Sequence, residues 1–293
     1  MAYANCWRYD ARMLIEPINL QAWRAELALR FARRDAATVL SERRHRGPLR
    51  VQKALYPEGE SVCHAIVLHP PSGIVGGDEL AIQVTLESQA HALLTTPGAG
   101  KWYRSAGPWA SQHIHFDIEA GACLEWLPQE TIFFNGCYAA ISSEIHLAPG
   151  ARYLGWDAWC LGRSASGERF LQGAIRNRSE IYLDDALLWH EQAQFSGGSS
   201  FMDSPAGLAG RSVCVTLYAA GEDIDPALLA ACRAIAPQET TALYGITCLP
   251  KLLVARYLGN VAEAARNWLF DLWCLLRPFF SGRAAIAPRI WST

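Results

Sequence analysis

An excess of positive charge, which nucleic-acid binding requires, is missing from this chain, because basic and acidic residues nearly balance. Lysine and arginine total 26 against 28 aspartates and glutamates, which gives a formal net charge of −2. Proteins that bind nucleic acids usually carry a strong basic excess on one face. The run from Arg43 to Arg46 is too short to change that balance. We therefore expect no nucleic-acid partner.

Paired cysteines and long apolar runs are also missing. The nine cysteines are an odd number and none forms a Cys-x-x-Cys pair, which argues against a disulfide framework and a structural zinc site. The most apolar window, Trp268–Leu276, contains Asp271 and is far shorter than the about 20 residues that span a bilayer. Charges interrupt the first residues, so no secretory leader is predicted. We expect a cytoplasmic protein without a membrane partner.

What the chain does contain is enough apolar material for one large core. Of its 293 residues 51% are hydrophobic and 18% are charged, a globular composition. Single β-rich domains often reach about 250 residues. We therefore predict one domain over 1–293, with a poorly patterned N-terminal segment at 1–20 and a C-terminal tail at 278–293.

A heavily restricted turn lies between two apolar segments, from His69 to Asp78. Its two prolines fix φ and lack donors, and its three glycines permit positive φ, so neither a strand nor a helix continues through it. Alternating residues on both sides predict flanking strands. Such a turn presents His69, Ser72 and Asp78 from a fixed frame, as a binding site requires. The alternative is that Asp78 only binds the backbone of its own turn.

An internal repeat predicts the architecture. Three segments around Ala90, Ala122 and Ala151 align as strand, tight turn and strand, with periods of 32 (122 − 90) and 29 (151 − 122) residues. Periods in this range indicate stacked units that share a core. The fold class is therefore mainly β, a β-helix-like (solenoid) stack. A β-sandwich built from the same hairpins is the competing interpretation.

Two α-helices are predicted in the C-terminal third. Asp225 with Pro226 forms an N-cap and first helical position for a helix to about Ala236. Asn260 begins a second helix, which we expect Pro278 to end. Its apolar stripe includes Trp268 and Trp273, which either pack on the β body or offer a surface to a partner.

Short motifs that suggest nucleotide or metal binding are weak. The segment around Gly100 and Lys101 lacks the spacing and the Ser or Thr of a phosphate-binding loop. Lys101, Tyr103 and Arg104 are better read as a turn available to a protein partner. His113 and His115 share one face of a strand and are candidates for weak metal binding. An ordinary solvated face is the alternative, since spacing ties no third ligand to them.

Five carboxylates lie in apolar surroundings or in restricted turns. A carboxylate in a dry core needs a cation, water or a channel. The sequence therefore suggests that a water-filled interior is lined by acidic groups. Arg104, Arg163 and Arg169 would be the partners if these groups form structural salt bridges instead. The candidates for the interior are Asp78, Glu125, Glu130, Asp157 and Glu191.

Ordered sequence blocks along nearly the whole chain closely resemble the UreD family of urease accessory proteins, called UreH in some bacteria. The blocks span residues 47–53, 56–58, 69–78, 94–104, 125–130, 160–163 and 288–291. Departures are small: Ser72 stands where the family often has Gly, and Gly100 where it often has Thr. Neither residue type prevents a turn at its position.

The resemblance implies a maturation factor without enzymatic activity. Family members bind apo-urease, join UreF and UreG, and assist GTP-dependent delivery of nickel to the urease active site. The implied fold is a β-helix-like stack with two helices, and the implied route for nickel is an internal, water-lined tunnel. Asp78, which falls in one of these blocks, and Asp157 and Glu191, which need a cation or water in apolar surroundings, are the first candidates for its lining. No tightly bound cofactor is expected, only transient nickel(II) held weakly enough to be released.

Two other functions stay open. One is a passive assembly scaffold that passes no metal. The other is a hydrolase using His69 and Asp78, which is disfavoured because Ser72 lies near His69 without a Gly-x-Ser-x-Gly elbow.

Overall fold

A computed structural model describes residues 22–292 of the chain, of which strands form the largest part. The N-terminal segment predicted to be poorly patterned, 1–20, lies outside the described residues. Strands alternate with short turns almost to the C-terminal third, where the two longer helices begin. The predicted mainly-β class with C-terminal helices is confirmed.

The elements follow one another closely. The strands up to the middle of the chain are β1 (Arg24–Arg34), β2 (Ala37–Arg46), β3 (Arg50–Leu55), β4 (Cys63–Leu68), β5 (Glu79–Leu86), β6 (His91–Thr95), β7 (Gly100–Trp102), β8 (Ala110–Ile118), β9 (Cys123–Leu127) and β10 (Thr131–Phe133). The later strands are β11 (Tyr138–Leu147), β12 (Arg152–Leu161), β13 (Ala174–Leu183), β14 (Ala186–Ser196), β15 (Val213–Ala220), β16 (Leu243–Leu249) and β17 (Leu252–Gly259). The α-helices are α1 (Ser200–Asp203), α2 (Pro226–Ala234) and α3 (Ala262–Ser281), with single 3₁₀ turns at Ser164–Ser166 and Arg289–Ser292.

The chain passes alternately between two sheets. Sheet A has the order β14-β13-β11-β8-β5-β1-β2, and sheet B has β16-β17-β15-β12-β9-β6-β4-β3, with β7 and β10 attached beside β12. The central strands of both sheets pair in parallel, because each successive turn returns in the same direction. A sandwich of hairpins would instead be antiparallel throughout. The result is the predicted solenoid-like stack, of about four turns.

The repeat predicts the strand register as well as the class. Val84, Phe116 and Ile145 lie side by side in sheet A, at separations of 32 and 29 residues. In sheet B, Leu93, Glu125 and Leu154 do the same. Each aligned position therefore stacks on its counterpart in the next turn.

Two apolar layers hold the fold together. The inter-sheet core lies between the sheets and contains Phe31, Phe116 and Phe133, all without exposed surface. The sheet–helix core lies on the other face of sheet B, where α2 and α3 pack. Along β12, Tyr153 and Leu161 face the first layer while Leu154 and Trp156 face the second. This alternation decides which β12 side chains reach the interior.

The first predicted helix has the expected start. The carboxylate of Asp225 accepts a hydrogen bond from the Leu228 amide at 2.8 Å, and Pro226 occupies the first helical position. The predicted helix is confirmed, ending two residues early at Ala234.

The boundaries predicted for α3 are wrong at both ends. Val261, not Asn260, is its N-cap, and the side chain of Asn260 accepts the Ser212 amide instead. The carboxylate of Glu239 accepts the amides of Asn260 and Val261 from outside the helix. Negative charge at this end stabilises the helix without a local cap.

Pro278 does not stop α3, which continues to Ser281 and ends at Gly282 with φ of +68°. The last turn is retained because Phe280 is buried and because Arg152 donates to the Phe280 carbonyl at 2.7 Å. Part of the predicted tail at 278–293 is therefore helix. The remainder docks through Trp291, whose indole donates to Thr95.

Trp268 and Trp273, candidates for a partner surface, are corrected by the structure. Their side chains are 1% and 0% exposed and form part of the sheet–helix core. The apolar stripe of α3 therefore packs against sheet B, as the alternative interpretation predicted. Among residues 22–292, no helix combines the length and apolar character needed to cross a membrane.

Candidate functional site

The restricted turn before β5 is fixed by Asp78. Its Oδ1 accepts the Trp23 amide at 3.0 Å and its Oδ2 accepts the Val75 amide at 2.9 Å. Asp78 is 4% exposed, so both oxygens are used on backbone donors in a buried position. This matches the alternative considered for Asp78, extended to the start of β1. We assign Asp78 to holding the turn, because it borders neither of the interior cavities described below.

Ser72 and Gly73 show why this turn is so restricted. Ser72 has φ of +60°, a left-handed conformation that glycine adopts with less strain. A Cβ at Gly73 would lie 1.9 Å from the ring of Tyr103, so the ring packs directly on the glycine backbone. Tyr103 is thus a packing partner of the turn. Of the three candidates for a partner surface on this segment, Lys101 borders the interior and Arg104 is exposed.

Two partly open cavities lie between the sheets, each lined mostly by apolar groups together with several polar side chains. The first, of about 380 Å³, is near the turn and is bordered by the polar side chains of His69, Ser72, Thr96, Lys101, Gln112, Gln129, Thr131 and Asp157. The second, of about 390 Å³, lies further along the stack and is bordered by those of Asp157, Asn177, Glu191, Tyr218 and Arg256. Asp157 borders both cavities. Cavities of this size that carry several polar groups have room for water.

Asp157, which is partly buried, has no direct partner for its charge among the described residues. Within residues 22–292, no side-chain hydrogen bond or ion pair to its carboxylate is found, although its backbone pairs with that of Thr216 in β15. Burial raises the pKa of Asp157 to about 6, and the negative charge of Glu191 adds to the effect. A carboxylate with a raised pKa gains when a cation approaches.

Glu191 faces the second cavity and is partly compensated. Its Oε2 accepts from the Tyr218 hydroxyl at 2.9 Å and from Arg256 at 2.8 Å. The Arg256 side chain is 50% exposed, which limits the strength of this ion pair. The alternative, salt bridges from Arg104, Arg163 or Arg169, is not found for Asp157 or Glu191 among the described residues; Arg163 pairs with Glu168 and Arg169 approaches Asp203.

His69 borders the first cavity as a neutral imidazole. Burial lowers its pKa, and the charge of Asp78 offsets only part of this. A neutral imidazole is a ligand for borderline divalent metals. The Asp78 carboxylate does not orient His69, since both of its oxygens accept backbone amides. The pairing that the hydrolase interpretation needs is therefore missing from the described residues.

Glu125 is corrected from a tunnel candidate to a structural group. It is 1% exposed and belongs to a set that we call the buried charge cluster: Glu58, His64, His91, Glu125 and Arg277. Glu125 accepts from Arg277 Nε at 3.0 Å, from Trp273 at 2.7 Å and from His91 at 2.8 Å. Its charge is fully satisfied.

The rest of the buried charge cluster is equally well paired. Arg277 donates to both oxygens of Glu58 at 2.7 Å, and His64 contacts Glu58 at 2.7 Å. Burial raises the pKa of Glu58, but hydrogen bonds from His64 and Arg277 outweigh it and bring the value to about 2. Burial lowers the pKa of His91, yet Cys123 and Glu125 raise it to about 10. The positive charges of Arg277 and protonated His91 therefore balance the negative charges of Glu58 and Glu125.

Glu130 lies on the other side of sheet B. It borders a groove between α3 and the sheet, together with Arg266 and Trp291, and not the inter-sheet cavities. The tunnel interpretation is corrected for this residue too. Of the five acidic candidates, the structure brings together Asp157 and Glu191.

His113 and His115 project from the outer face of sheet A, where β11 supplies the third ligand that spacing did not reveal. Ligand atoms of His113, His115 and Glu144 all lie within 4.8 Å of one another. His146 also contacts Glu144, at 2.7 Å. The repeat contained this signal, because the 29-residue period aligns His115 with Glu144.

The chain matches known proteins over nearly all of its described length. The family described as "UreD urease accessory protein" matches residues 24–292. A protein of Dechloromonas aromatica named "Urease accessory protein UreD" is 53% identical over 95% of this chain and 97% of its own. Proteins of the same name from Azoarcus sp. and Pseudomonas aeruginosa are 51% and 52% identical, over 92% and 93% of this chain and 94% and 96% of theirs. On these matches the chain belongs to the UreD family of urease accessory proteins, and its role lies in urease maturation.

Proposed function

We propose that this protein delivers nickel to urease by passing the ion through its inter-sheet cavities. The proposed setting is the cytoplasm, in a complex with apo-urease, UreF and UreG whose nickel transfer depends on GTP. The protein itself acts without catalysis and holds nickel only in transit. The observation that carries the proposal is Asp157, an uncompensated carboxylate that borders both cavities.

Electrostatics supports a cation in this interior. An ionised carboxylate away from bulk water costs several kcal/mol unless a partner compensates it. Asp157 has no such partner among the described side chains, and the negative Glu191 acts on it. A passing divalent ion would supply the missing positive charge.

The candidate ligands suit transit better than storage. His69 offers a neutral nitrogen in the first cavity, Asp157 a carboxylate shared by both cavities, and Glu191 a carboxylate already engaged by Arg256. One ligand at a time, with water completing the coordination, binds an ion weakly enough for release. This is the chemistry that a conduit requires.

A passive scaffold is the second candidate. The extended outer surface of the stack suits partner binding, and the buried charge cluster shows that acidic groups in this fold also serve structure alone. The two functions differ in what the interior contributes.

The test is the nickel content of urease assembled in cells with Asp157→Asn, a change that keeps the shape and removes the charge. We expect nickel per urease to fall at least about tenfold while urease still co-purifies with its accessory proteins, since loss of one metal-site group commonly costs that factor. Glu130→Gln, which removes an acidic group outside the cavities, is the matched control and should load normally. Normal nickel loading with Asp157→Asn would favour the scaffold.

A further inference from the structure

The outer face of sheet A, opposite its cavity-lining face, carries a histidine cluster formed by His113 and His115 on β8 and His146 on β11. On β8, Gln112 and Ile114 face the first cavity, while His113 and His115 point to the opposite face. Parallel pairing places Ser142 beside His113 and Glu144 beside His115. In the next position, His146 lies beside Asp117.

Among the described residues, the imidazoles of His113 and His115 each have one ring nitrogen in a hydrogen bond and one without a hydrogen-bond partner. Nδ1 of His113 contacts the Ser142 hydroxyl at 2.8 Å, and Nε2 of His115 contacts the Asp117 carboxylate at 3.0 Å. Among the described side chains, the other nitrogens, Nε2 of His113 and Nδ1 of His115, have no hydrogen-bond partner. A carboxylate or hydroxyl on the far nitrogen is the usual support for a metal-binding histidine.

Glu144 brings a carboxylate to the same point. Its Oε1 lies 3.9 Å from Nδ1 of His115 and accepts from Nε2 of His146 at 2.7 Å. The His146 ring is itself fixed by stacking on Tyr182, with centroids 4.7 Å apart.

We propose that His113, His115 and Glu144 form a surface site for one divalent transition-metal ion. Two imidazoles and a carboxylate suit borderline ions such as Ni²⁺, Zn²⁺ or Cu²⁺ better than Mg²⁺ or Ca²⁺, which prefer oxygen alone. Ligand atoms on one tetrahedral ion are about 3.3 Å apart, so the present spacing within 4.8 Å must contract. The three side chains are at the surface and can make that adjustment by rotation.

Neighbouring charges favour this position over the next one along the sheet. Glu180 lies beside Glu144 in β13, but His190 and Arg178 already engage its carboxylate at 3.0 and 3.5 Å. The ligands are partly exposed, so water completes the coordination and the ion exchanges with solvent. The site is separate from the cavities and does not depend on the proposed passage of nickel through them.

The test is calorimetric titration of Ni²⁺ alone into the full chain, purified without a histidine tag. We expect one site whose affinity falls at least about tenfold in His115→Ala and in Glu144→Gln. His45→Ala removes an exposed histidine from edge strand β2 of the same sheet and should not change the affinity. Thermal unfolding of each variant checks that the fold is retained.

A spectroscopic readout makes the assignment specific. One equivalent of Cu²⁺ should give an electron paramagnetic resonance spectrum with two nitrogen ligands in the wild type and one in His113→Ala. No binding by the wild type, or unchanged affinity in His115→Ala, would overturn the proposal. Asp157→Asn should leave Ni²⁺ binding at the surface site unchanged. A failure of the surface-site proposal can therefore be distinguished from a failure of the proposed nickel passage through the cavities.

Discussion

The acidic groups of the buried charge cluster are fully paired, whereas Asp157, which is only partly buried and borders the second cavity, is not. Glu58 and Glu125 are almost completely buried, and every oxygen accepts a hydrogen bond from arginine, histidine or tryptophan. Asp157 has cavities on two sides and an acidic neighbour. The first arrangement ties α3 to the solenoid. The second leaves a charge that only water, a proton or a cation can balance.

The largest loss of stability should come from removing a member of the buried charge cluster. Arg277→Met leaves Glu58 and Glu125 buried without their shared partner, and removal of one member of a buried ion pair costs about 3–5 kcal/mol. Urea denaturation should show that loss in the free energy of unfolding, or a failure to fold. Arg277→Lys keeps the charge and loses the forked contacts, so its free energy of unfolding should lie between those of the wild type and Arg277→Met.

The control for this prediction is Arg266→Met, an exposed arginine on the same helix. It should change stability by no more than about 0.5 kcal/mol. Equal effects at the two positions would mean that the buried charge cluster is not what holds α3 in place.

A smaller and pH-dependent effect is expected at Asp157. The folded chain keeps a proton on Asp157 up to about pH 6, whereas the ordinary value is 3.8. The contribution of Asp157 to the free energy of unfolding therefore falls as the pH rises between these values and stays lower above them, by at most about 3 kcal/mol. Asp157→Asn should remove this fall, so its advantage over the wild type grows from pH 4 to 6.

Chemical denaturation at a series of pH values measures this difference. Asp271→Asn, at an exposed position of α3, is the matched control and should give a curve parallel to that of the wild type. A parallel curve for Asp157→Asn would mean that Asp157 is already compensated, as Glu125 is.

The smallest effect is expected at Glu191. Its partner Arg256 is half exposed, so Glu191→Gln should cost less than about 1 kcal/mol. Because the charge of Glu191 contributes to the raised pKa of Asp157, this variant should also make the fall in the Asp157 contribution between pH 4 and 6 shallower. The same pH series measures both the loss of stability and this slope. An unchanged slope would mean that the charge of Glu191 does not act on Asp157.

The sequence predicted the repeat well because register is a local property of the pattern. Aligned alanines at 90, 122 and 151 were enough to stack Phe116 between Val84 and Ile145. Helix ends were predicted less well, because distant groups decided them. Glu239 replaces a local cap at the start of α3, and Arg152 holds its last turn beyond Pro278.

The site was only partly predictable for a related reason. Sequence identifies a carboxylate in apolar surroundings, but its partner can lie more than a hundred residues away, as Arg277 does from Glu125. A lone arginine within the apolar stripe of α3 was the available signal for this pair. Asp157 and Glu125 look alike in sequence and differ only in which side of sheet B they face and what meets them there.

The most direct test of the account is to block the second cavity without touching any charge. Ala193 borders this cavity from β14, and Gln192 is on the exposed face of the same strand. We expect Ala193→Phe to lower the nickel content of urease with the accessory complex still assembled, and Gln192→Phe to leave it unchanged. Full nickel loading with Ala193→Phe would contradict passage of the ion through the interior.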